Sequence, residues 1–233
     1  MIVILKVIVK YEKTGFAKYL AHLELVGLIE RILRRVDLPL EYSSGYNPKP
    51  QIAFAAPLSV GLSSVGEYFE VKVTEEFDLN RITKIDKSFL PIGMNFTKAI
   101  YSTDKKSIMA IVHDASYILK VETLKQYDED DIRNQMKNFL NQDEIMWTKI
   151  RRKKKPITKN IVELINNVLI LNANDKKIIF KVNVRTGSTG NLQPDIIIRK
   201  FIEFANLELE DDYIEIERLD IFKEENNEQV PII

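Results

Sequence analysis

Apolar and polar positions alternate along the first hundred residues in a way that predicts both strands and a helix. Strands are predicted at 2–11, 51–55, 67–73 and 95–101, where β-branched and aromatic residues recur at every second position or in short runs. Helical spacing connects Leu25, Leu28, Ile29, Ile32, Leu33 and Val36. A second helix is predicted from Asp78, a good capping residue, through Phe89. The resulting order, β-α-β-β-α-β, is typical of the split βαβ or ferredoxin-like pattern.

A second cycle, with the order β-α-β-β-(β)-α-β, begins after a polar stretch near residue 105. Its predicted strands are 117–121, 145–151, 161–171, 177–184 and 213–222, and its predicted helices are 128–140 and 194–206. The predicted fold class is therefore α+β, with two tandem ferredoxin-like (split βαβ) lobes that have antiparallel sheets. Their predicted bounds are 1–105 and 106–233, and the second lobe carries an acidic tail.

The charge of the chain is balanced overall but uneven along its length. Among 233 residues, 34 Lys and Arg balance 34 Asp and Glu, so no general attraction to nucleic acid is expected. A basic run occupies 151–155, whereas 203–228 is strongly acidic. Such asymmetry predicts a local anion site, and the alternative for the basic run is a solvated turn.

The residue types exclude several classes of function. With no cysteine, the chain cannot form a disulfide, a thiolate zinc site or a cysteine-ligated iron–sulfur cluster. His22 and His113 are the only histidines, so neither a metal nor another cofactor is expected. No stretch reaches the roughly 20 apolar residues that a membrane span needs. The expected location is the cytoplasm, where the absence of cysteine is compatible with a reducing environment.

The segment 42–51 is the most informative part of the sequence. It combines Tyr42, Tyr46, Asn47 and Lys49 with a glycine and two prolines, and the prolines exclude a helix. A rigid exposed loop with aromatic and basic side chains suits a planar anionic ligand such as RNA. The alternative is a solvated hairpin connection whose tyrosines pack on the sheet.

The predicted first helix supplies the other candidates for substrate binding. Arg31, Arg34 and Arg35 recur on one flank of this helix, and guanidinium groups match phosphate bidentately. The alternative is ion pairing with Glu24, Glu30 and Asp37 of the same segment.

His22, at the start of this helix, is the candidate catalytic residue. An imidazole there is suited to general acid–base catalysis, and with the segment 42–51 it would form a metal-free site for internal attack of an RNA 2′-hydroxyl. The alternative is that the His22 side chain only orients the helix start.

A glycine-rich connection precedes the helix predicted from Pro194. Gly187, Ser188, Thr189 and Gly190 expose backbone amides ahead of a helix start, which predicts a phosphate or carboxylate contact. The connection lacks the P-loop lysine and the dinucleotide glycine spacing, so NTP or NAD binding is not expected. The alternative is a flexible glycine turn.

Long ordered motifs in the first predicted lobe resemble the radical-SAM-linked family, a bacterial domain of unknown function found beside or fused to a radical SAM protein. The motifs are residues 15–25, 30–35, 38–40, 42–50, 54–58 and 66–68, with weaker matches at 187–194 and 217–218. Where this family commonly has a second histidine, the chain has Lys49, which is compatible with anion binding rather than acid–base chemistry.

The resemblance implies a partner rather than a reaction. Because the chain has no cysteine for a cluster, the resemblance implies a stand-alone companion that binds or presents an RNA-related anionic substrate to a radical SAM protein encoded nearby. RNA is the second expected partner, and a membrane is not expected. Two alternatives are a metal-independent endoribonuclease of the CRISPR RNA-processing type and a subunit that only docks protein.

Overall fold

The hydrophobic pattern forms a mixed α+β fold. A computed structural model describes residues 4–151, 154–188 and 190–233. The strands are β1 (Leu5–Lys13), β2 (Ile52–Phe54), β3 (Ser63–Val73), β4 (Met94–Ser102), β5 (Asp114–Glu122), β6 (Met146–Arg151), β7 (Lys154–Asn160), β8 (Ile165–Asn174), β9 (Lys177–Arg185), β10 (Glu215–Glu225) and β11 (Glu228–Pro231). The helices are α1 (His22–Arg35), α2 (Asn80–Thr83), α3 (Ile108–Ile111), α4 (Glu129–Leu140) and α5 (Pro194–Ala205).

The chain divides into two compact units. The first unit comprises residues 1–113 together with 218–233, and the second comprises 114–217. The chain therefore returns to the first unit after the second is complete. The predicted division at residue 105 assigns 106–233 to a single lobe. It therefore does not place residues 218–233 with the first unit.

Helix α1 packs on one face of the antiparallel sheet of the first unit. In that sheet β1 lies between β3 and β4, while β2 and β10 both pair with β3. One core joins the inward side chains of β1 and β3 to the apolar stripe of α1, and its members include Val7, Val9, Phe69, Val71, Leu25, Ile29 and Leu33. Because this stripe is buried, the opposite side of the amphipathic helix faces solvent. The predicted arginines lie on that exposed side.

The second unit builds its core on β5, β9 and β8, which pair antiparallel in that order. Alternate residues of β9 are buried, and the ring of Phe180 lies 5.9 Å from that of Phe201 on α5. Phe201 in turn lies 5.7 Å from Phe139 of α4, measured between ring centroids. Strands β6 and β7 form a separate two-stranded hairpin, which pairs with no other strand of the described residues.

The predicted α+β class is confirmed, and the ferredoxin-like assignment of both lobes stays a prediction. The helix predicted from Asp78 through Phe89 is wrong, because only the four-residue α2 and a 3₁₀ turn at Lys87–Phe89 form there. The carboxylate of Asp86 accepts the Ser88 N–H at 2.9 Å and starts a new turn. An aspartate side chain that accepts a hydrogen bond from a nearby backbone N–H in this way offers the backbone an alternative to the hydrogen bonds of a helix. No helix of the described ranges is long and apolar enough to cross a membrane.

Gly93 holds the entry to β4 against the segment that follows β1. Its φ is +91°, and a Cβ placed there would lie 2.1 Å from the Thr14 carbonyl oxygen. We expect Gly93→Ala to lower the free energy of unfolding by about 3 kcal/mol or more, because backbone strain adds to an overlap with main-chain atoms. Urea denaturation measures the change.

Gly61 provides the matched control because it has the same φ of +91°, while a Cβ placed there would have no atom within 4 Å. Gly61→Ala should therefore cost only the backbone strain, about 1 to 3 kcal/mol. Equal losses of stability in the two variants would show that the overlap at Gly93 relaxes without cost.

Candidate functional site

Helix α1 positions most of the residues predicted to bind substrate. It begins at His22, and the Ala21 N–H donates to the Glu24 carboxylate at 2.8 Å, which satisfies one amide at the helix start. Its apolar stripe is buried in the core of the first unit. Arg31, Arg34 and Arg35 remain exposed, and we call these three residues the arginine face.

Two guanidinium groups of the arginine face lie over aromatic rings. The Cζ atom of Arg34 is 5.9 Å from the ring centroid of Tyr42, and that of Arg35 is 4.3 Å from the ring centroid of Phe89. Such contacts hold a guanidinium in place without neutralising its charge. The arginine face is thus ordered by rings and keeps its donors available.

The carboxylates that sequence analysis offered as partners for these arginines are engaged elsewhere or unpaired. Asp37 forms an ion pair with Arg81 at 3.2 Å, and Glu24 accepts the amide at the helix start. Within residues 4–151, 154–188 and 190–233, no ion pair involves a residue of the arginine face. Three positive charges therefore stand together on one helix without an ion-pair partner in that part of the chain.

Residues 41–51 form a narrow hairpin beside α1, which we call the tyrosine hairpin. The Ser43 N–H donates to the Lys49 carbonyl at 2.8 Å, and the Lys49 N–H donates to the Ser43 hydroxyl at 3.1 Å. The tip turns at Gly45, where φ is +128°. Tyr46 at this tip is fully exposed, so it does not pack on the sheet. Asn47 and Lys49 are exposed on the same hairpin.

The Arg34–Tyr42 contact brings the tyrosine hairpin and the arginine face together. His22 is held differently, because its ring lies edge-on to buried Phe54 with centroids 5.1 Å apart and an interplanar angle of 81°. In the described ranges, no hydrogen bond, ion pair or ring contact joins His22 to Tyr42, Tyr46 or Lys49. The structure thus assembles an aromatic and basic surface, with His22 oriented by a core ring.

An open groove of 580 Å³ runs along α1 beside the arginine face. It is lined by Leu20, Leu23, Glu24, Gly27, Leu28, Arg31, Ser88, Phe89, Leu90 and Pro91. Leu23 is 82% exposed, although it is a large apolar residue on an ordered helix. Arg31 belongs to both the groove and the arginine face, and Phe89 lines the groove and contacts Arg35.

The predicted glycine-rich anion loop belongs to the second unit. Gly187 has a φ of +114°, Ser188 is exposed, and Thr189 lies outside the described residues. Gly190 meets close packing, since a Cβ there would lie 2.7 Å from Cδ2 of Leu164. Close packing against Leu164 is therefore enough to explain why a glycine occupies position 190. The predicted basic run is described only in part, because Arg152 and Lys153 also lie outside the described residues.

A buried ionic cluster in the first unit was not predicted from the sequence. The Arg218 guanidinium donates to the Glu67 carboxylate at 2.8 Å and to the Ala56 carbonyl at 2.7 Å. Glu67 and Arg218 are 3% and 4% exposed. Burial raises the pKa of Glu67, while the neighbouring Arg218 charge opposes that rise. Burial, reinforced by Glu67, also raises the pKa of Tyr11, which pairs with Glu67 across β1 and β3.

One signal in the sequence points to part of this cluster. Glu67 opens the alternating run 67–73 in phase with the inward residues Phe69 and Val71, which makes it a charge at a core position. No local pattern identifies Arg218 as its partner, because the two residues are 151 positions apart.

Lys13 is the second buried cation of this cluster and is only 2% exposed. Burial lowers the pKa of Lys13, Glu67 opposes this shift, and Arg218 adds to it. Between the folded-state pKa and the ordinary value of 10.5, the unfolded chain holds a proton that the folded chain has lost. The contribution of Lys13 to the free energy of unfolding therefore rises with pH between these two pKa values.

We expect this rise to disappear in Lys13→Met. Urea denaturation from pH 7 to pH 10 should show the wild type gaining stability relative to the variant as pH increases. Lys98→Met removes an exposed lysine of β4 and serves as the control. Parallel pH profiles for wild type and Lys13→Met would contradict a lowered pKa at Lys13.

Comparison with solved structures finds similarity, at low identity, to chains of three complexes. They are a Cbf5–Nop10–Gar1 complex (TM-score 0.49, 16% identity, 94% of this chain and 50% of that chain), an archaeal box H/ACA sRNP Nop10–Cbf5 complex (0.45, 16%, 91% and 46%) and an H/ACA RNP bound to a substrate RNA containing 2′-deoxyuridine (0.47, 14%, 91% and 46%). The chain spans about half the length of these chains. At these scores the likeness carries no argument about function.

Sequence comparison is more specific. No curated protein matches the chain. A bacterial family described as uncharacterized proteins conserved in bacteria (DUF2344) matches residues 6–194, which is well over half of the sequence. The protein therefore belongs to the DUF2344 family.

Proposed function

We propose that this protein binds a single-stranded, RNA-related anionic ligand through the arginine face and the tyrosine hairpin, as the companion of a radical SAM enzyme. The observation that carries the proposal is the arginine face itself. Its three guanidinium groups have no ion-pair partner within the described ranges, and two of them are ordered by aromatic rings. Planar guanidinium groups with free donors match the oxygens of a phosphate.

The tyrosine hairpin adds a surface for bases. Tyr46 is fully exposed at a tip that the backbone hydrogen bonds of Ser43 and Lys49 hold in place. An exposed ring on a rigid hairpin stacks on an unpaired base, whereas bases inside a duplex are already stacked on each other. Asn47 and Lys49 supply hydrogen bonds and one more positive charge. This combination favours single-stranded over double-stranded RNA.

Binding is favoured over catalysis by the surroundings of His22. An endoribonuclease that uses His22 needs a second polar group beside the imidazole to orient it or to complete the proton transfer. The ring contact of His22 is instead with Phe54, an apolar core residue. His22 therefore enters the proposal as a residue at the edge of the binding surface.

The radical SAM partner is supported by the family resemblance and by the chemistry of the chain. A radical SAM reaction requires an iron–sulfur cluster held by cysteines, and this sequence has none. The cluster would thus belong to the partner. The open groove beside α1, with Leu23 exposed, favours a second candidate function, which is docking of that partner.

Purification of the tagged protein from its native cells tests both functions at once. RNA sequencing and mass spectrometry of the co-purifying material should identify single-stranded RNA together with a radical SAM protein. Recovery of the radical SAM protein without RNA would replace RNA binding by the docking function. Recovery of neither would remove the support for the proposal.

A further inference from the structure

The hairpin of β6 and β7 in the second unit carries aromatic and basic side chains on one of its faces. Trp147 lies opposite Lys159 and Lys149 lies opposite Ile157 in the strand register. These four residues share one face because successive side chains of a strand alternate between faces. The Lys159 ammonium lies over the Trp147 ring, 5.6 Å from its centroid. This face therefore combines the chain's single tryptophan with two cations.

The segment that leads into α5 closes this face into a pocket of 230 Å³. Asn191 and Gln193 contribute two amide side chains, and Ile196 of α5 contributes an apolar wall. Drug-sized ligands occupy pockets of about 300 to 1,000 Å³. A pocket of this size is therefore matched to a single base or nucleoside.

The polar groups of the pocket are not taken up by the protein in the part of the chain that the structure describes. Gln193 is the residue before the first turn of α5, yet its side chain forms no capping hydrogen bond. The side-chain amide of Asn191 and the ammonium of Lys149 likewise have no hydrogen-bond or ion-pair partner in that part. Two amides and the Lys149 ammonium thus line the pocket together with the indole ring and remain available to a ligand.

A free anion at the start of α5 is a poorer match for these groups. Pro194 has no N–H to donate, and the Asp195 carboxylate in the first turn repels an anion. The charges that would meet a phosphate are on Lys149 and Lys159 of the hairpin, beside the indole ring. This placement puts positive charge next to a flat aromatic ring, and a nucleotide offers a phosphate next to a flat base.

We infer that this pocket binds one unstacked base of a single-stranded RNA. Trp147 stacks on the base, Asn191 and Gln193 hydrogen-bond its edge, and Lys149 and Lys159 contact the adjoining phosphates. A side-chain amide presents a hydrogen-bond donor and an acceptor side by side. This arrangement is complementary to the adjacent acceptor and donor on the edge of a base. The inference rests on the proposed RNA-binding function and adds a base-binding site in the second unit.

Because Trp147 is the only tryptophan, its fluorescence reports directly on this pocket. The full chain would be titrated with a single-stranded RNA 10-mer of mixed sequence and, separately, with adenosine and uridine monophosphates. Stacking of a base on the indole should quench the emission in a saturable manner. Inorganic phosphate at the same concentration should leave the emission unchanged.

Binding of a labelled RNA 10-mer, followed by fluorescence anisotropy, tests the residues. Trp147→Leu should weaken binding roughly 5- to 100-fold, as removal of one stacked aromatic ring does. Gln193→Ala should weaken it by a smaller factor and, unlike Trp147→Leu, leaves the hairpin intact. Ile150→Ala is the matched control, since Ile150 is a neighbouring β6 residue that is 86% exposed and does not line the pocket. Circular dichroism confirms folding of each variant.

The possible outcomes separate this site from the proposed function. Quenching by RNA together with weaker binding of Gln193→Ala supports the pocket. RNA binding with unchanged Trp147 emission and wild-type affinity in both pocket variants overturns the pocket and leaves the arginine face in place. If RNA does not bind at all, the proposed function fails. Quenching by the monophosphates then still supports a nucleotide pocket, and its absence overturns the pocket as well.

Discussion

Replacement of Arg34 and Arg35 together by alanine should weaken binding of single-stranded RNA by roughly 100-fold or more, because each charged hydrogen bond contributes about 1.5 kcal/mol or more and about 1.4 kcal/mol is a factor of ten in affinity. Both side chains lie over rings and lack a carboxylate partner in the described ranges, so alanine removes contacts to the ligand rather than internal ion pairs. The slope of log K against log salt should become shallower by about 0.7 for each phosphate that the variant no longer neutralises. Fluorescence anisotropy at several salt concentrations measures both effects.

A control variant should remove the same amount of charge from elsewhere. Lys137→Ala with Arg199→Ala removes two exposed cations from α4 and α5 of the second unit. This pair should change RNA affinity little, since neither residue belongs to the proposed surface. If both double variants lose affinity equally, binding depends on overall charge and the arginine face has no special role. Wild-type affinity for RNA in the Arg34→Ala, Arg35→Ala double variant would contradict the assignment of the arginine face as the RNA-binding surface.

Loss of Arg218 should have the largest effect on stability. Arg218→Ala leaves the Glu67 carboxylate buried without its cation, and breaking such a pair costs about 3 to 5 kcal/mol. The Ala56 carbonyl loses its donor in the same variant. Urea denaturation should therefore show a much lower midpoint for Arg218→Ala than for the wild type.

An exposed ion pair supplies the comparison for Arg218→Ala. Lys125 and Glu208 are both 58% exposed, so Lys125→Ala should change stability by about 1 kcal/mol or less. The double variant Arg218→Met with Glu67→Leu should recover much of the loss, because it removes both members of the Arg218–Glu67 ion pair and fills their space. A double variant as unstable as Arg218→Ala would show that Arg218 acts through its other contacts rather than through Glu67.

The arginine face and the tyrosine hairpin were accessible to sequence reasoning because their signals are local. The 3.6-residue spacing of the apolar positions predicts α1, and the position of the arginines relative to that stripe predicts their exposure. Prolines 48 and 50 predict that the segment after α1 is not helical. The contact between Arg34 and Tyr42 then needs only eight residues of chain to bring the two features together.

The features that sequence reasoning missed depend on residues far apart in the chain. Nothing near Arg218 indicates that it returns to Glu67, and nothing near residue 217 indicates that the next strand completes the first unit. The pocket at Trp147 likewise joins a hairpin to a segment that begins about 30 residues after the hairpin ends. The basic run was recognised as a charge cluster, whereas the tryptophan close to it carries no signal until the register of β6 and β7 is known.

The late return of residues 218–233 to the first unit has a consequence for synthesis on the ribosome. Glu67 emerges 151 residues before Arg218, which at about 5 to 20 residues per second is a delay of about 8 to 30 s. During that interval the nascent first unit either leaves Glu67 in water or buries it protonated, as the raised pKa of its carboxyl group favours. The second unit is continuous from 114 to 217 and is fully synthesised first. The unit that begins the chain is therefore the one completed last.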